Sequence, residues 1–495
     1  MSAHVDNSAR SGHARRTGAR RPKPFTRLVL PVAIASGVAL VVLDTDAQEM
    51  AAPLLAAINL GILCLAVLWH RDGRLPLFDV GGLCVAATVL YTVLPFLPFV
   101  VTGLTFTPAT DSRLIGYGFD LHSVTALAWR YVVYLASFVV VYLAARRRTP
   151  RLPAVGLSGD AGRRTLVAVV VLLSLEYAFR WAMFLVYGLN LDVAYTELGS
   201  MIAAVSTIPY VLWQVTGIVL ASMLLVKQAL LLLLMRYWHS LRYRLLIVAW
   251  LSVEVGSVGL RLGARSHAVL LLLSAALLYH RAVRPIRVRT LAIGSVCLIG
   301  AFLMFGYLRG ARSDTALSVS GAVAANNEFQ SLFATTFDVL ERKRQDTLGP
   351  VPWQVYLSDL YHVVPSQLLP FEKMDPAQWY LDVLGIRGGA VGFMFGVITQ
   401  SVLGLDWIEL VMRGAVLAWL FAALHRWYVA RAARFWPTLL YLFIGIWSYY
   451  TMRATTFYFV HFVVYQFVPV MLATKVIAWA LFGARRRSAQ EVAHA

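Results

Sequence analysis

Residues 351–404 read VPWQVYLSDLYHVVPSQLLPFEKMDPAQWYLDVLGIRGGAVGFMFGVITQSVLG, and they end the longest part of the chain that is neither an apolar run nor a basic tail. The whole segment, Arg309–Gly404, lies between two runs that are apolar enough to cross a membrane. A loop of this length inside a compact membrane protein is usually functional or disordered. Its aromatic residues, its prolines at turn positions and its apolar periodicity argue against disorder. We therefore expect it to fold over an active site on the outer face of a membrane.

The composition places the chain among membrane proteins. Its 495 residues are 59% hydrophobic and 14% charged, and the mean hydropathy is +0.68. The net charge of +19 does not indicate nucleic-acid binding, because Lys and Arg stand mostly in short segments between apolar runs. Basic residues in such segments orient spans by staying on the cytoplasmic side. We expect the lipid bilayer as a partner, and no nucleic acid.

The apolar runs predict an all-α, polytopic membrane protein of about twelve transmembrane helices. Residues 1–27 form a basic tail, residues 28–308 hold the first group of spans, residues 405–482 hold the last, and residues 483–495 form a second tail. The basic segments place both tails in the cytoplasm and the large loop, residues 309–404, outside. We predict a location in the inner membrane of a bacterium. The predicted spans are Leu28–Leu43, Ala51–Trp69, Leu77–Val101, Val124–Ala145, Thr165–Tyr187, Ile208–Met235, Leu245–Leu260, His267–Tyr279, Leu291–Leu308, Trp407–Leu424, Trp436–Tyr449 and Phe457–Phe482.

One apolar stretch of the loop, Val391–Leu403, is not counted as a span. It is shorter than the roughly 20 residues that a spanning helix needs, and it is rich in glycine. The span counts made from the two chain ends agree only if this stretch does not cross. We predict a re-entrant or surface helix on the outer face, with its backbone shielded by protein.

Basic residues on the predicted outer side run against the orientation rule and need a separate reason. Ion pairs with outer carboxylates, or contacts with lipid headgroups, would explain any one of them. As a set on one face they favour an anionic ligand, because a guanidinium group binds phosphate through two hydrogen bonds. At a membrane surface this points to a polyprenyl diphosphate. The candidate diphosphate-binding residues are Arg261, Arg265, Arg309, Arg312, Lys373 and Arg453.

Groups that can move a proton lie in the same loop. His362, Glu372 and Asp359 are the candidate catalytic residues. A glycosyl acceptor hydroxyl needs a base, whereas a diphosphate leaving group needs cations more than an acid. No spacing of His or Cys typical of a metal site appears, so we predict neither a metal nor a cofactor.

Two helices are predicted within the loop from the spacing of their apolar residues. The first covers Phe329–Leu340, and we expect it to lie on the membrane surface. The second covers Trp353–Tyr361, with Asp359 and His362 turned away from its apolar face. It ends at Val364, because the residue before Pro365 is disfavoured in a helix.

Ionisable residues also lie within predicted spans, where they are functional candidates by default. Glu176 and Arg180 are four positions apart, as are Glu409 and Arg413, and this spacing predicts pairs within one helix. We interpret both pairs as structural. His461, in the last predicted span, is expected to be a hydrogen-bonded residue rather than a catalyst.

Four stretches between Leu251 and Leu472 follow an order that is typical of one family. They are GLRLGARSHAVLLLL (259–273), VVPSQLLPFEK (363–373), GGAVGFMFGVITQSVLGLDWIELVMRGAVLAWLF (388–421), and TMRATTF (451–457) with Pro469 downstream. The second is similar to a Pro-x-x-Leu-x-Pro-x-Lys run of that family, and the third to its Gly-rich outer helix and following span. On this order, the chain resembles the bacterial oligosaccharide repeat-unit polymerases, the Wzy or O-antigen polymerase type.

The resemblance implies a metal-independent, multi-span glycosyltransferase of the C type that works on the outer side of the inner membrane. The donor would be a growing glycan on undecaprenyl diphosphate, and the acceptor a new repeat unit on the same lipid. The terminal sugar hydroxyl would attack the anomeric carbon, and undecaprenyl diphosphate would leave. A chain-length regulator and a flippase are implied as further partners.

Three alternatives remain open. An O-antigen ligase shares the architecture, but it carries a loop histidine followed at a fixed spacing by glycine, and His362 is followed at that spacing by Glu372. A transferase with a monophosphate lipid donor would use Asp44 and Asp46 as an acidic pair after the first span. A transporter or flippase would show two matching halves, which the single, late loop disfavours.

Overall fold

The computed structural model describes residues 29–73, 75–103, 119–148, 159–188, 208–260, 265–291, 293–294, 328–386 and 394–494. Within these ranges all regular secondary structure is helical, as predicted. The helices of the first part are α1 (Leu30–Val42), α2 (Thr45–Asp72), α3 (Val80–Thr102), α4 (Leu121–Ala145), α5 (Gly159–Tyr187), α6 (Tyr210–Met235), α7 (Leu241–Leu260) and α8 (Arg265–Ala282). Most of the ninth predicted span lies outside the described residues.

The second part of the chain combines short helices with long ones. Short helices stand both before α14 and after α15, and the last predicted span is interrupted by a π-helical turn at Val463–Phe467. The helices of this part are α9 (Glu328–Arg344), α10 (Trp353–Tyr356), α11 (Ser358–Tyr361), α12 (Pro376–Val383), α13 (Val397–Leu403), α14 (Trp407–Val429), α15 (Phe435–Trp447), α16 (Tyr450–Arg453), α17 (Tyr458–Phe462) and α18 (Val468–His494).

Seven of the described helical segments are long and apolar enough to cross a membrane. Five of them lie in α2 to α6, the sixth is α14, and the seventh is the final run Tyr458–Phe482. Helices α1 and α8 are apolar but shorter, at the positions of the first and eighth predicted spans. This pattern is that of a polytopic, all-α membrane protein; the count of twelve spans stays a prediction.

Three of the long helices have an aspartate as the N-terminal capping residue. The side chains of Asp44, Asp79 and Asp120 each accept a hydrogen bond from a first-turn backbone N–H, at 2.9, 2.8 and 2.8 Å. Such caps satisfy donors that have no partner within the helix. Asp44 therefore has a structural role at the start of α2.

Helices α4 and α14 pack against each other along their lengths. They approach closely at Gly414, where a Cβ atom would lie 2.1 Å from the Ser137 hydroxyl oxygen and 2.8 Å from the carbonyl oxygen of Tyr134. Small residues permit such backbone approach between membrane helices. Near the start of both helices, Arg130 holds Asp406 through two hydrogen bonds of 2.8 and 2.6 Å.

A buried ionic network joins helix ends that the sequence assigns to the cytoplasmic side. The guanidinium of Arg146 lies 2.5 Å from Asp72 and 2.9 Å from Asp79. Asp79 also accepts a hydrogen bond of 2.8 Å from Tyr142 and lies 3.5 Å from a ring nitrogen of His425. The segments predicted on one side thus lie together at one end of the bundle. Which end faces the cytoplasm stays a prediction.

The first predicted loop helix forms, as α9, but it does not lie on the membrane surface. Phe333 packs against Phe96 and Phe99 with ring centroids 5.0 and 5.2 Å apart. Phe337 packs against Phe119 at 4.7 Å. The apolar face of α9 is therefore buried on α3 and its neighbours, which corrects the prediction of a lipid-facing helix.

The second predicted loop helix is broken into two single turns, α10 and α11, at Leu357. Trp353 and Leu360 are exposed, whereas Ser358, Asp359 and Tyr361 are buried. The break thus turns Asp359 into the protein, and the chain leaves the helical turn before Pro365, as predicted.

The Gly-rich stretch contributes the helix α13, and all of its residues are buried. The Lys343 ammonium on α9 donates hydrogen bonds to the carbonyl oxygens of Val402 at 2.8 Å and Gly404 at 2.5 Å. It therefore caps the C-terminal end of α13, where carbonyl groups lack partners within the helix. Burial of Lys343 lowers the pKa of its amine. Protein shields this backbone, as predicted; whether α13 enters the membrane stays a prediction.

Candidate functional site

Arg413 on α14 lies at the centre of a buried cluster beneath the loop. Its side chain is 11% exposed, and it pairs with Glu409 at 2.6 Å, which confirms the predicted pair within the helix. The same guanidinium also donates to Asp359 of the loop and, at 2.6 Å, to the hydroxyl of Thr456. We call these four residues the Arg413 cluster. It ties the loop to α14 and to the turn before the last predicted span.

Several acceptor oxygens around the Arg413 cluster are buried without a hydrogen-bond partner among the described residues. They are Oδ1 of Asp359, Oγ1 of Thr455 and Oε1 of Gln400. The amide nitrogen of Gln400 donates to Ser358 at 3.1 Å, so this side chain faces the loop. Buried acceptors without donors are rare in proteins and call for water or a ligand that donates hydrogen bonds. The cluster therefore has unused capacity to bind a polar group.

His362 follows Asp359 by three positions, and its side chain contacts the last predicted span. Its ring lies 5.2 Å from the ring of His461 and 5.0 Å from that of Tyr458, centroid to centroid. Tyr458 and His461 are themselves 5.2 Å apart. Nε2 of His362 and Nδ1 of His461 are buried without a hydrogen-bond partner among the described residues. We call His362 and His461 the imidazole pair.

Side chains hold the backbone carbonyl groups of His362 and of the next residue, Val363, in place. The hydroxyl of Tyr465 donates to the carbonyl oxygen of Val363 at 2.9 Å. The ammonium of Lys373 donates to the carbonyl oxygen of His362 at 3.1 Å. Tyr465 belongs to the π-helical turn that follows His461, and such turns occur frequently at functional sites. The π-helical turn thus presents Tyr465 to the loop.

Burial lowers the pKa of the His362 imidazole below its ordinary value. The carboxylate of Asp375 opposes this shift, the Lys373 ammonium adds to it, and Asp359 opposes it more weakly. Burial also lowers the pKa of Lys373. His362 is therefore biased towards its neutral form, which can accept a proton.

Two of the six predicted diphosphate-binding residues lie beside the imidazole pair. Lys373 contacts the backbone of His362, and the guanidinium of Arg453 lies 5.2 Å from the centre of the Tyr450 ring. Tyr450 stacks on Tyr458 at 5.4 Å, so two tyrosine rings stand between Arg453 and the imidazole pair. The other four are not placed, since Arg261, Arg309 and Arg312 lie outside the described residues, as does the side chain of Arg265.

The three predicted acid–base residues fall in different surroundings. His362 is half-buried at the imidazole pair, and Asp359 is buried in the Arg413 cluster. Glu372 is exposed on the loop. Sequence reasoning missed Arg413 as a partner of Asp359, and it missed His461 as a neighbour of His362. For Arg413 a signal was available in the sequence: it is a basic residue one or two turns inside a span, close to a large loop.

A second polar cluster joins the helices α5, α6 and α7. Glu254 pairs with Lys227 and accepts a hydrogen bond from the hydroxyl of Tyr177. Glu176 accepts a hydrogen bond of 2.9 Å from Ser222. These pairings join three helices through charges that are costly to bury alone. The predicted sites make no use of this cluster.

The described residues hold no group of three His, Cys, Asp or Glu side chains that would suit a metal ion. No family model matches the sequence, and no curated protein or solved structure matches it. The chemistry of the candidate site therefore rests on its own residues.

Proposed function

We propose that the chain is a membrane glycosyltransferase that polymerises oligosaccharide repeat units carried on undecaprenyl diphosphate. In this proposal the growing glycan is transferred from its lipid diphosphate to the terminal sugar of a new lipid-linked repeat unit. The protein lies in the bacterial inner membrane with about twelve spans. Both termini are cytoplasmic and the loop is on the outer face.

One observation carries the proposal, namely that the loop brings His362 beside cations and over a buried polar cluster at one end of the bundle. Lys373 contacts the His362 segment, and Arg453 lies two stacked rings away. The Arg413 cluster fixes the preceding turn through Asp359. A base, cations and buried acceptors are the groups that transfer from a diphosphate to a hydroxyl requires.

The proposed reaction assigns a role to each group. The hydroxyl oxygen of the acceptor sugar attacks the anomeric carbon of the donor, its proton passes to the imidazole of His362, and the bond from the anomeric carbon to the diphosphate oxygen breaks. Lys373 and Arg453 stabilise the charge on the departing diphosphate. Asp359 is held by Arg413, so we assign it to positioning the His362 turn rather than to proton transfer. Glu372 is exposed, which makes it the weaker candidate for the base.

The four arginines without described side chains keep their predicted role in the proposal. Arg261, Arg265, Arg309 and Arg312 would bind the diphosphate together with Lys373 and Arg453. A chain-length regulator and a flippase are the proposed protein partners.

The test is a deletion strain from which the surface glycan and the lipid-linked intermediates are extracted and sized. Loss of long polymer, with one lipid-linked repeat unit accumulating, is the expected result. Long polymer that stays on its lipid would indicate a ligase instead. A repeat unit held on the cytoplasmic leaflet would indicate a flippase and would overturn the assignment of the site.

A further inference from the structure

The imidazole pair carries hydrogen-bonding groups that the protein itself does not use. A neutral imidazole has one N–H donor and one lone-pair acceptor. Each ring of the pair has one buried nitrogen without a partner among the described residues. Leaving such a group unsatisfied destabilises the folded protein. A molecule that supplies hydrogen-bonding groups to both rings would therefore complete the site.

The charge of the site selects among possible ligands. Burial biases His362 towards the neutral form, and neutral rings bind phosphate or carboxylate weakly compared with charged donors. A hydroxyl group both donates and accepts, so it matches either unpartnered nitrogen in either tautomer. The chemistry of the pair therefore favours a hydroxylated ligand over an anion.

An aromatic surface accompanies the two imidazoles. Tyr458 contacts both rings of the pair, and Tyr465 lies 4.6 Å from His461 on the other side. Tyrosine rings combine an apolar face with a polar tip, a combination suited to a sugar ring, which has apolar C–H faces and a hydroxylated edge.

The surroundings also fix where a phosphate would lie relative to such a sugar. Arg453 lies over Tyr450, and Tyr450 stacks on Tyr458. Arg453 is thus separated from the imidazole pair by two stacked rings, whereas Lys373 contacts the His362 backbone directly. A phosphate bound at Arg453 would therefore lie apart from a sugar bound at the imidazole pair.

We infer that His362, His461 and Tyr458 form a binding site for a sugar ring of the glycan, in which the imidazole pair hydrogen-bonds the sugar hydroxyls. This rests on the proposed function and adds to it a subsite with His461 as a ligand-binding residue. In the proposed reaction, His461 holds the acceptor sugar so that one of its hydroxyls faces His362.

The first experiment is a chemical footprint of the full chain in lipid nanodiscs. Diethyl pyrocarbonate reacts with the unprotonated nitrogen of an imidazole, which forms an N-carbethoxy group and releases ethanol and carbon dioxide. Mass spectrometry then measures the rate at each histidine. The probes are oligosaccharides from partial hydrolysis of the host's surface polysaccharide, with inorganic pyrophosphate as the matched anion. The exposed His70 and His239 serve as internal controls.

We expect the oligosaccharides, but not pyrophosphate, to slow the modification of His362 and His461. At a concentration about ten times its Kd, a ligand should slow it about tenfold. The rates at His70 and His239 should not change. Protection by pyrophosphate alone, or by neither probe, would overturn the sugar site.

The footprint requires the reagent to reach the buried rings. Substitutions of His461 test the same site without that requirement. His461→Phe keeps the ring and removes both nitrogens, whereas His461→Gln keeps a donor and an acceptor. We expect His461→Phe to raise the KM for the lipid-linked acceptor at least about tenfold, the effect of losing one hydrogen bond of about 1.4 kcal/mol, and His461→Gln to restore part of it. Normal polymer length and yield in His461→Phe would contradict the inference.

The two hypotheses fail separately. If deletion leaves polymer length unchanged while the oligosaccharides still protect the pair, the polymerase proposal is wrong and the sugar site stands. If deletion abolishes long polymer while the pair is not protected and His461→Phe is normal, the polymerase proposal stands and the sugar site is wrong.

Discussion

Gly396 lies directly against the backbone of Met452. A Cβ atom on Gly396 would be 1.9 Å from the carbonyl oxygen of Met452 and 2.8 Å from its carbonyl carbon. The first residue precedes α13 and the second lies in α16, so this contact joins the Gly-rich stretch to the turn that bears Arg453. Only glycine permits backbones to approach so closely.

Gly396→Ala should therefore displace α13 and destabilise the protein. The neighbouring atoms are backbone atoms, which cannot turn aside, and overpacking of this kind costs about 1–3 kcal/mol. Thermal unfolding in detergent, followed by intrinsic fluorescence, measures the effect. Gly217→Ala is the matched control, because no atom lies within 4 Å of a Cβ placed there. An equal unfolding temperature for both variants would show that α13 is not seated as described.

Arg413→Gln should be more damaging than most substitutions in the bundle. It leaves Asp359 and Glu409 in the protein without their shared cation, and breaking a buried ion pair in this way costs about 3–5 kcal/mol. The loss of folded protein can be measured by size-exclusion chromatography of a fluorescent fusion and by thermal unfolding.

The double variant Arg413→Gln/Asp359→Asn distinguishes an ion pair from mere packing. Removing one carboxylate together with the guanidinium should recover part of the lost stability, because fewer unpaired charges remain buried. The exposed Arg431, changed to Gln, serves as the surface control and should have little effect. Additive losses in the double variant would argue that Arg413 and Asp359 do not interact.

The seven long apolar helices were predictable because their signal is local. The fourth span was predicted as Val124–Ala145 and is observed as Leu121–Ala145. The position of α9 was not predictable in the same way, since the periodicity of an amphipathic helix is the same whether its apolar face meets lipid or protein. Phe333 would fit a helix that faces lipid and a helix that faces protein. Only the positions of Phe96 and Phe99 decide between the two.

Stability should fall on acidification through His362. Its pKa in the folded protein lies below the ordinary value of 6.5. Below that pH the unfolded chain binds a proton that the folded chain does not, so the free energy of unfolding decreases as the pH falls. Thermal unfolding at pH 7.5 and pH 5.5 should show this decrease, and it should be smaller in His362→Gln. An equal decrease in both proteins would show that His362 is not held neutral.

Accessibility labelling can decide which end of the bundle faces the cytoplasm. In a background without the native cysteines, Leu368→Cys in the loop and Ser240→Cys between α6 and α7 are both exposed positions. We expect a membrane-impermeant maleimide to label the first in intact spheroplasts and the second only after permeabilisation. The reverse pattern would invert the topology and remove the loop from the outer face.

The candidate site was only partly predictable. The sequence pointed to His362, Asp359 and Lys373 because they lie in one loop. It gave no information on His461 as a neighbour of His362, because a contact between residues far apart in the chain leaves no periodic or spacing signal. The unpartnered nitrogens of the two rings become visible only when their surroundings are known.

The packing of α4 on α14 has a consequence for biogenesis. Arg146 finds its carboxylates on the hairpin of α2 and α3, which leaves the ribosome just before it. Arg130, in the first half of α4, pairs with Asp406, which is synthesised 276 residues later. One end of the early helices can therefore be completed while translation continues. The end beneath the loop waits for α14, so a nascent chain that stalls before it exposes the unfinished end to membrane quality control.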